Sequence, residues 1–397
     1  MRYFHTLIWS NITGFCYLCK RIFISIQMIS EIILQQLDTP LRDIALKVQR
    51  GERISTDDCL LLYEKGELGF VGLLANHIRE QRYGLDTFFN RNIHIEPTNI
   101  CIYQCKFCAY FRKEGEPDSW NYSIPEILDK IASYPVGSIT EVHIVGGVHP
   151  DKDLDYYGEM VSAIRKARPE LHIKGFTAIE LDYMIRKSNM TIEEGLRKLK
   201  EYGLESIPGG GAEIFNDDIR RQICGDKSKA TMWLSVHETA HKVGLPSNAT
   251  ILYGHIETFA DRVDHLNKLR ELQDRTGGFN AFIPLKYKHK NNLLSHIPEL
   301  TTIEDLRNYA ISRIFLDNFP HIKAYWPMIG KDLAIMSLSF GVDDLDGTID
   351  DTTKIYTMAG SSETSPAMTS LQMVELITSK GFVAVERDSI YNEVRRF

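Results

Sequence analysis

Eight short apolar runs, each followed by a stretch with helical spacing, fill the chain from residue 92 to residue 348 and leave it few possible folds. The runs are NIHIEPTN (92–99), EVHIVGG (141–147), HIKGFTAIE (172–180), LESIPGGGAEI (204–214), SNATILYG (247–254), FNAFIPLKY (279–287), HIKAYW (321–326) and the weaker DDLDGT (343–348). Between them lie helical patterns such as DLDYYGEMVSAIRKA, FADRVDHLNKLRELQDRTG and TIEDLRNYAISRIFLDNF. A further one, TIEEGLRKLKEYG, opens on Thr191 with Glu194 three residues later and closes at Gly203, the signature of a capped helix. Strands alternating with helices at this interval are parallel βα units. They close into a (β/α)8 barrel or lie in an open doubly wound sheet, and composition does not choose between the two.

Composition excludes other classes. With 43% hydrophobic and 25% charged residues over 397 positions, disorder, collagen-like repeats and a disulfide-stapled mini-domain are ruled out. Lys and Arg number 46 against 53 Asp and Glu, so no bulk field attracts nucleic acid or an anionic membrane. Of seven cysteines, three crowd into residues 101–108, which suits metal-holding thiolates in a reducing cytoplasm better than a disulfide framework. Residues 1–27 are apolar and slightly basic, but Asn11, Lys20 and Arg21 interrupt them. They fall short of the ~18 uncharged apolar residues of a spanning helix, and no small-residue cleavage site follows. Met28 then opens an amphipathic run, so 1–27 reads as an extension without function and its Cys16 and Cys19 as two stray thiols.

The chemistry starts directly after the first strand, at Cys101-Ile-Tyr-Gln-Cys105-Lys-Phe-Cys108. A preset CxxxCxxC spacing arises by chance about 0.002 times in a chain with this cysteine content. One loop with three thiolates suits an iron–sulfur cubane, in which one of four irons stays open for catalysis. A fourth cysteine, Cys224 or Cys59, would close an ordinary electron-transfer cluster, and zinc is a third candidate.

CxxxCxxC with an aromatic, Phe107, before the last cysteine resembles the radical S-adenosylmethionine (SAM) superfamily. The resemblance implies a (β/α)8 TIM-type barrel, with the cluster loop at the C-terminal mouth. It implies one [4Fe–4S] cluster held by Cys101, Cys105 and Cys108, with exchangeable SAM on the open iron. Members carry a Gly-Gly-Glu type of turn after the second strand. Here Gly146-Gly147-Val148 stands in that place, so only a backbone role toward SAM carries over. On this basis residues 28–90 are a helical N-terminal segment, 91–350 the barrel, and 351–397 a small extension packed on it.

The ordered segments NIHIEPTNICIYQCKFC, GGVHPDKDLDYY, FTAIELDY, SIPGGGAEIF, SNATILYGHIET, DNFPHIKAYW and FGVDDLDGT narrow the likeness. They resemble the aminodeoxyfutalosine synthase family of the futalosine route to menaquinone, from about residue 45 to the C-terminus. The related cyclic dehypoxanthinyl futalosine synthases share SIPGGGAEIF and YGHIET, whereas HIEPTNIC and FTAIE look more like the first family. The resemblance implies addition of the 5′-deoxyadenosyl radical to 3-[(1-carboxyvinyl)oxy]benzoate, with rearrangement and loss of bicarbonate to give 6-amino-6-deoxyfutalosine and methionine. Flavodoxin or ferredoxin is the implied electron donor. Such a site holds two carboxylates in a dry cavity. Candidate residues at strand ends are Thr177, Glu180, Glu213, Asn248, His255 and Lys286, with Glu180 and Glu213 facing SAM. Gly209-Gly210-Gly211 clears room for adenosine; no Lys-Ser/Thr follows, so it is no P-loop.

One motif competes. His237-Glu238-Thr239-Ala240-His241 is HExxH on a helix, the zinc peptidase pattern, which chance produces in about 2% of such chains. Its helix falls between the fourth and fifth strands, on the outside of a barrel, away from the mouth.

Overall fold

The computed structural model describes residues 31–350, 354–361, 363 and 367–397. The extension at 1–27, with Cys16 and Cys19, lies outside the described residues. Eleven strands are described: β1 (Asp86–Phe89), β2 (Asn92–Ile95), β3 (Glu141–Ile144), β4 (His172–Gly175), β5 (Ser247–Tyr253), β6 (Phe279–Lys286), β7 (His321–Ala324), β8 (Asp344–Leu345), β9 (Thr348–Asp350), β10 (Val383–Arg387) and β11 (Glu393–Arg396). The pairings β9–β2–β3–β4 and β5–β6–β7–β8 are all parallel. Two bridges join these halves, Lys174 with Ser206 and Ile207 with Ser247. On the other side β8 and β9 are one strand broken at Asp346 and Gly347, so the ring closes into an eight-position barrel.

The expected barrel is therefore present, with two strands altered. Only Ser206 and Ile207 of the run at 204–214 pair. Pro208 has no N–H to give, and Gly209 lies so close to β5 that a methyl group there would sit 2.6 Å from the Asn248 carbonyl oxygen. The run at 172–180 stops at Gly175, because Thr177 and Glu180 form a capping box that starts helix Ala178–Lys187. Helix Ile192–Tyr202 has its box at Thr191 and Glu194 and ends on Gly203 at φ +111°.

The N-terminal segment is helical over Glu31–Gln36, Thr39–Gln49, Thr56–Lys65 and Leu68–Tyr83, the last lying along helix Thr302–Phe315. It then ends in a strand, which the sequence did not announce. β1 pairs in parallel with both β8 and β10, and β11 runs antiparallel on β10. The C-terminal residues thus hold the barrel where its last strand breaks. Among the described residues no helix is long and apolar enough to cross a membrane.

Candidate active site

The cysteine loop leaves the C-terminal end of β2 and is tied down by backbone on both flanks. Cys101 N–H donates to Arg112 O at 3.1 Å, and Ile102 N–H to Val148 O at 3.0 Å. Lys106 N–H donates to Ile223 O at 2.8 Å, which anchors the loop to helix Asp217–Cys224. All three thiols are free; Cys105 is buried and the other two are partly so. Burial raises each of them above the ordinary thiol value, and the nearby Lys227 ammonium works the other way.

Gly146 and Gly147 follow β3. Gly147 N–H donates to Thr98 O at 2.7 Å, while Gly146 N–H donates to Glu180 Oε1 at 3.1 Å. Glu180 Oε2 accepts from Thr177 N–H at 2.8 Å and from its hydroxyl at 2.7 Å. Both carboxylate oxygens thus hold the protein's own turn and helix start, and burial lifts Glu180 to about 7. Glu213 adopts φ +48°, a left-handed backbone that is strained for a residue with a side chain. It accepts from Lys227 Nζ at 2.6 Å, and that ammonium lies 5.3 Å from the Phe107 ring centroid.

A cavity of about 270 Å³ opens among these groups, lined by Phe107, Cys108, Gly146, Thr177, Glu213 and Lys227 at one end. Asn248, Lys286 and the three glycines 209–211 also line it. Those glycines are demanded by the chain itself, since a methyl on Gly210 would meet Thr177 Cγ2 at 2.7 Å and Gly211 sits at φ +85°. Lys286 is held by Asp305 and by the Leu300 carbonyl, both at 2.7 Å. His255 is not in the wall: its Nε2 bonds the Leu252 carbonyl at 3.0 Å. Glu180 and Gly147 are not in it either.

The sequence reading missed the other end of the cavity. There Lys174 pairs with Glu141 at 2.7 Å, and Lys323 stands 3.4 Å from Asp346 and 3.9 Å from Asp344. His94 and His143 lie ring to ring at 4.6 Å, and burial lowers the pKa of both. All of these residues but Asp344 line the cavity. The signal was available: NIHI, EVHI and HIKG each carry a polar residue at every second position, the inward period of a barrel strand.

HExxH has a different purpose. His237 Nδ1 and His241 Nε2 both lie 2.8 Å from Ser247 Oγ, so together they clamp the start of β5. Glu238 points outward to Lys242 at 2.9 Å and Arg275 at 3.5 Å. Burial lowers His241 to about 4 and His237 well below its usual value. We expect Glu238→Gln to leave activity and metal content unchanged by elemental analysis. Stoichiometric zinc, or a dead variant, would revive the peptidase reading.

A parallel barrel with a cysteine loop at its mouth defines the class of radical SAM enzymes, and a family model described as "Radical SAM superfamily" matches residues 95–269. A second, "CofH/MqnC C-terminal region", matches residues 276–396. The aminodeoxyfutalosine synthase of Thermus thermophilus is 42% identical over 90% of this chain and 97% of its own length. That of Streptomyces coelicolor is 37% identical over 90% and 94%. In fold, the FeFe-hydrogenase maturase HydG of Carboxydothermus hydrogenoformans aligns with a TM-score of 0.70 at 19% identity, over 94% of this chain and 85% of that one. The chain belongs to the aminodeoxyfutalosine synthase family, within the radical SAM superfamily.

Membership implies a [4Fe–4S] cluster and SAM, and the donor set fits. Three free thiols share one loop, and Cys108 lines the cavity. Among the described residues no three His, Cys, Asp or Glu side chains converge on one ion. A zinc site would draw its donors to within ~2.3 Å of one point. A cubane instead seats each thiolate on a different iron, so its donors stay apart.

Proposed function

We propose that Cys101, Cys105 and Cys108 each ligate one iron, and that the enzyme joins the 5′-deoxyadenosyl group of SAM to 3-[(1-carboxyvinyl)oxy]benzoate. With one water consumed and the cleaving electron given up again by the product radical, the products are 6-amino-6-deoxyfutalosine, methionine and bicarbonate. When bound, the cluster supplies the electron that cleaves the SAM sulfonium, received in the cell from a flavodoxin or ferredoxin. The observation that carries this reading is the continuity of the cavity from Phe107 and Cys108 to the ionic layer at Lys174 and Lys323. A short substrate with two carboxylates needs cations at a distance from the cluster, and a wall that keeps water out between them.

The protein's own residues divide that work. Lys227, fixed by Glu213, is the cation at the mouth, placed to meet an anionic group of SAM. Gly146, with its amide held by Glu180, presents backbone to the same end. Leu252, Ile283, Leu285 and Met328 form an apolar belt around the reacting carbons. The test is an anaerobic assay with SAM, dithionite and the enolpyruvyl benzoate, its products weighed by mass spectrometry. We expect one adenosine-bearing adduct for each methionine. Free 5′-deoxyadenosine as the sole nucleoside product would instead assign a hydrogen-abstracting reaction.

A further inference from the structure

The interior of a TIM barrel is ordinarily filled by layers of branched apolar side chains. Here six polar side chains, Asn92, Glu141, His143, Lys174, Lys323 and Asp346, stand in that interior and border the cavity. Asn92 is 1% exposed, Lys323 4% and Glu141 1%. Burying such groups is costly unless each finds a partner. The partnership is incomplete: His143 Nε2 and Asn92 Oδ1 are shut off from solvent with no hydrogen-bond partner among the described residues. Both residues line the cavity.

The two lysines are held differently. Lys174 donates to Glu141 at 2.7 Å, a tight ion pair. Lys323 has only the long approaches of 3.4 Å to Asp346 and 3.9 Å to Asp344. Asp344 does not depend on it, because Arg387 lies 2.6 Å away. Lys323 is therefore the cation with room to turn toward a ligand. His143 is in register with Lys174 on the neighbouring strand, and both line the cavity together with Lys323.

We propose that Lys323 and His143 form the seat for the ring carboxylate of the substrate, at the end of the cavity farthest from the cluster loop. This rests on the reading above. In that reading the vinyl methylene lies at the Phe107 and Cys108 end, where SAM is cleaved, and the ring carboxylate is the far end of the same molecule. The ammonium supplies the charge, and the imidazole Nε2–H supplies a directed hydrogen bond to the second oxygen.

The experiment pairs two variants, Lys323→Met and His143→Phe, with two substrates. The second substrate is 2-phenoxyacrylate, which keeps the vinyl ether and its carboxylate but lacks the ring carboxylate. SAM binding, read from the EPR signal of the reduced cluster, is the control for folding. Each variant is expected to raise KM for the full substrate at least tenfold, about 1.4 kcal/mol or more. KM for 2-phenoxyacrylate should move by less than about twofold, since the group that Lys323 reads is already absent. Equal losses on both substrates, or an unmoved KM, overturn the seat. Loss of SAM binding in both variants also overturns it, in favour of a purely structural layer. Failure of the wild-type enzyme to form any adduct from the full substrate refutes the proposed reaction instead, before any variant is made.

Discussion

Replacing any one of Cys101, Cys105 or Cys108 by Ala is expected to give colourless protein with no product, whereas Cys224→Ser keeps both the cluster and the activity. Cys224 is the serious competitor. It is buried at the end of helix Asp217–Cys224, whose Ile223 carbonyl accepts from Lys106 of the cysteine loop at 2.8 Å. A thiolate there would push the Cys105 thiol up further. Cys59 is no rival, being fully buried in helix Thr56–Lys65 against the outer layer. If Cys224 closed the cluster, all four irons would be capped by protein and SAM would have no iron to bind. Iron and sulfide content, with EPR of the reduced protein with and without SAM, decides the matter. A four-iron cluster lost on changing Cys224 would convert the site into an electron-transfer centre.

What the sequence shows of this protein depends on how local the signal is. The barrel strands β2 to β7 were visible because each is a short apolar run with its own helix behind it. The same runs carried the inner layer too, as polar residues at alternate positions of NIHI, EVHI and HIKG. That alternation gains its inward meaning only once the strands close on themselves. Strand β1 was hidden for another reason. Asp-Thr-Phe-Phe is four residues long, and its partner β10 lies at the other end of the chain, so no local pattern announces the pair. The run at 172–180 ends early, at Gly175, because Thr177 and Glu180 together spell a helix start. Lys227 had no motif at all. It reaches the site by the fold, across the cavity mouth from a loop more than a hundred residues before it.

The glycine turn after β3 is the second place with a large expected effect, here from a single methyl group. Neither Gly146 nor Gly147 has a positive φ, so backbone strain is not what excludes a side chain there. Close approach excludes it. A methyl group on Gly147 would overlap the Ile100 carbonyl oxygen, and one on Gly146 would lie 2.8 Å from Thr98 O. Residues 98–100 lead straight into Cys101, and they are stitched to this turn by Gly147 N–H to Thr98 O at 2.7 Å. Gly147→Ala must therefore push the cysteine loop off the turn. The expected result is destabilisation of about 1–3 kcal/mol, as for other overpacked sites. With it goes the larger share of bound iron, and SAM affinity falls at least tenfold in what remains. Val148→Ala is the matched control, because Val148 is buried and its truncation also costs stability, about 1–2 kcal/mol. Its carbonyl still accepts from Ile102 N–H at 3.0 Å, so the loop stays seated and the iron content stays full. Thermal melts and iron-to-protein ratios on the two variants separate the effects. Equal melting temperatures with iron lost only in Gly147→Ala place the turn in the cluster site, while full iron and a normal SAM-shifted EPR signal in that variant would show that the loop tolerates the displacement.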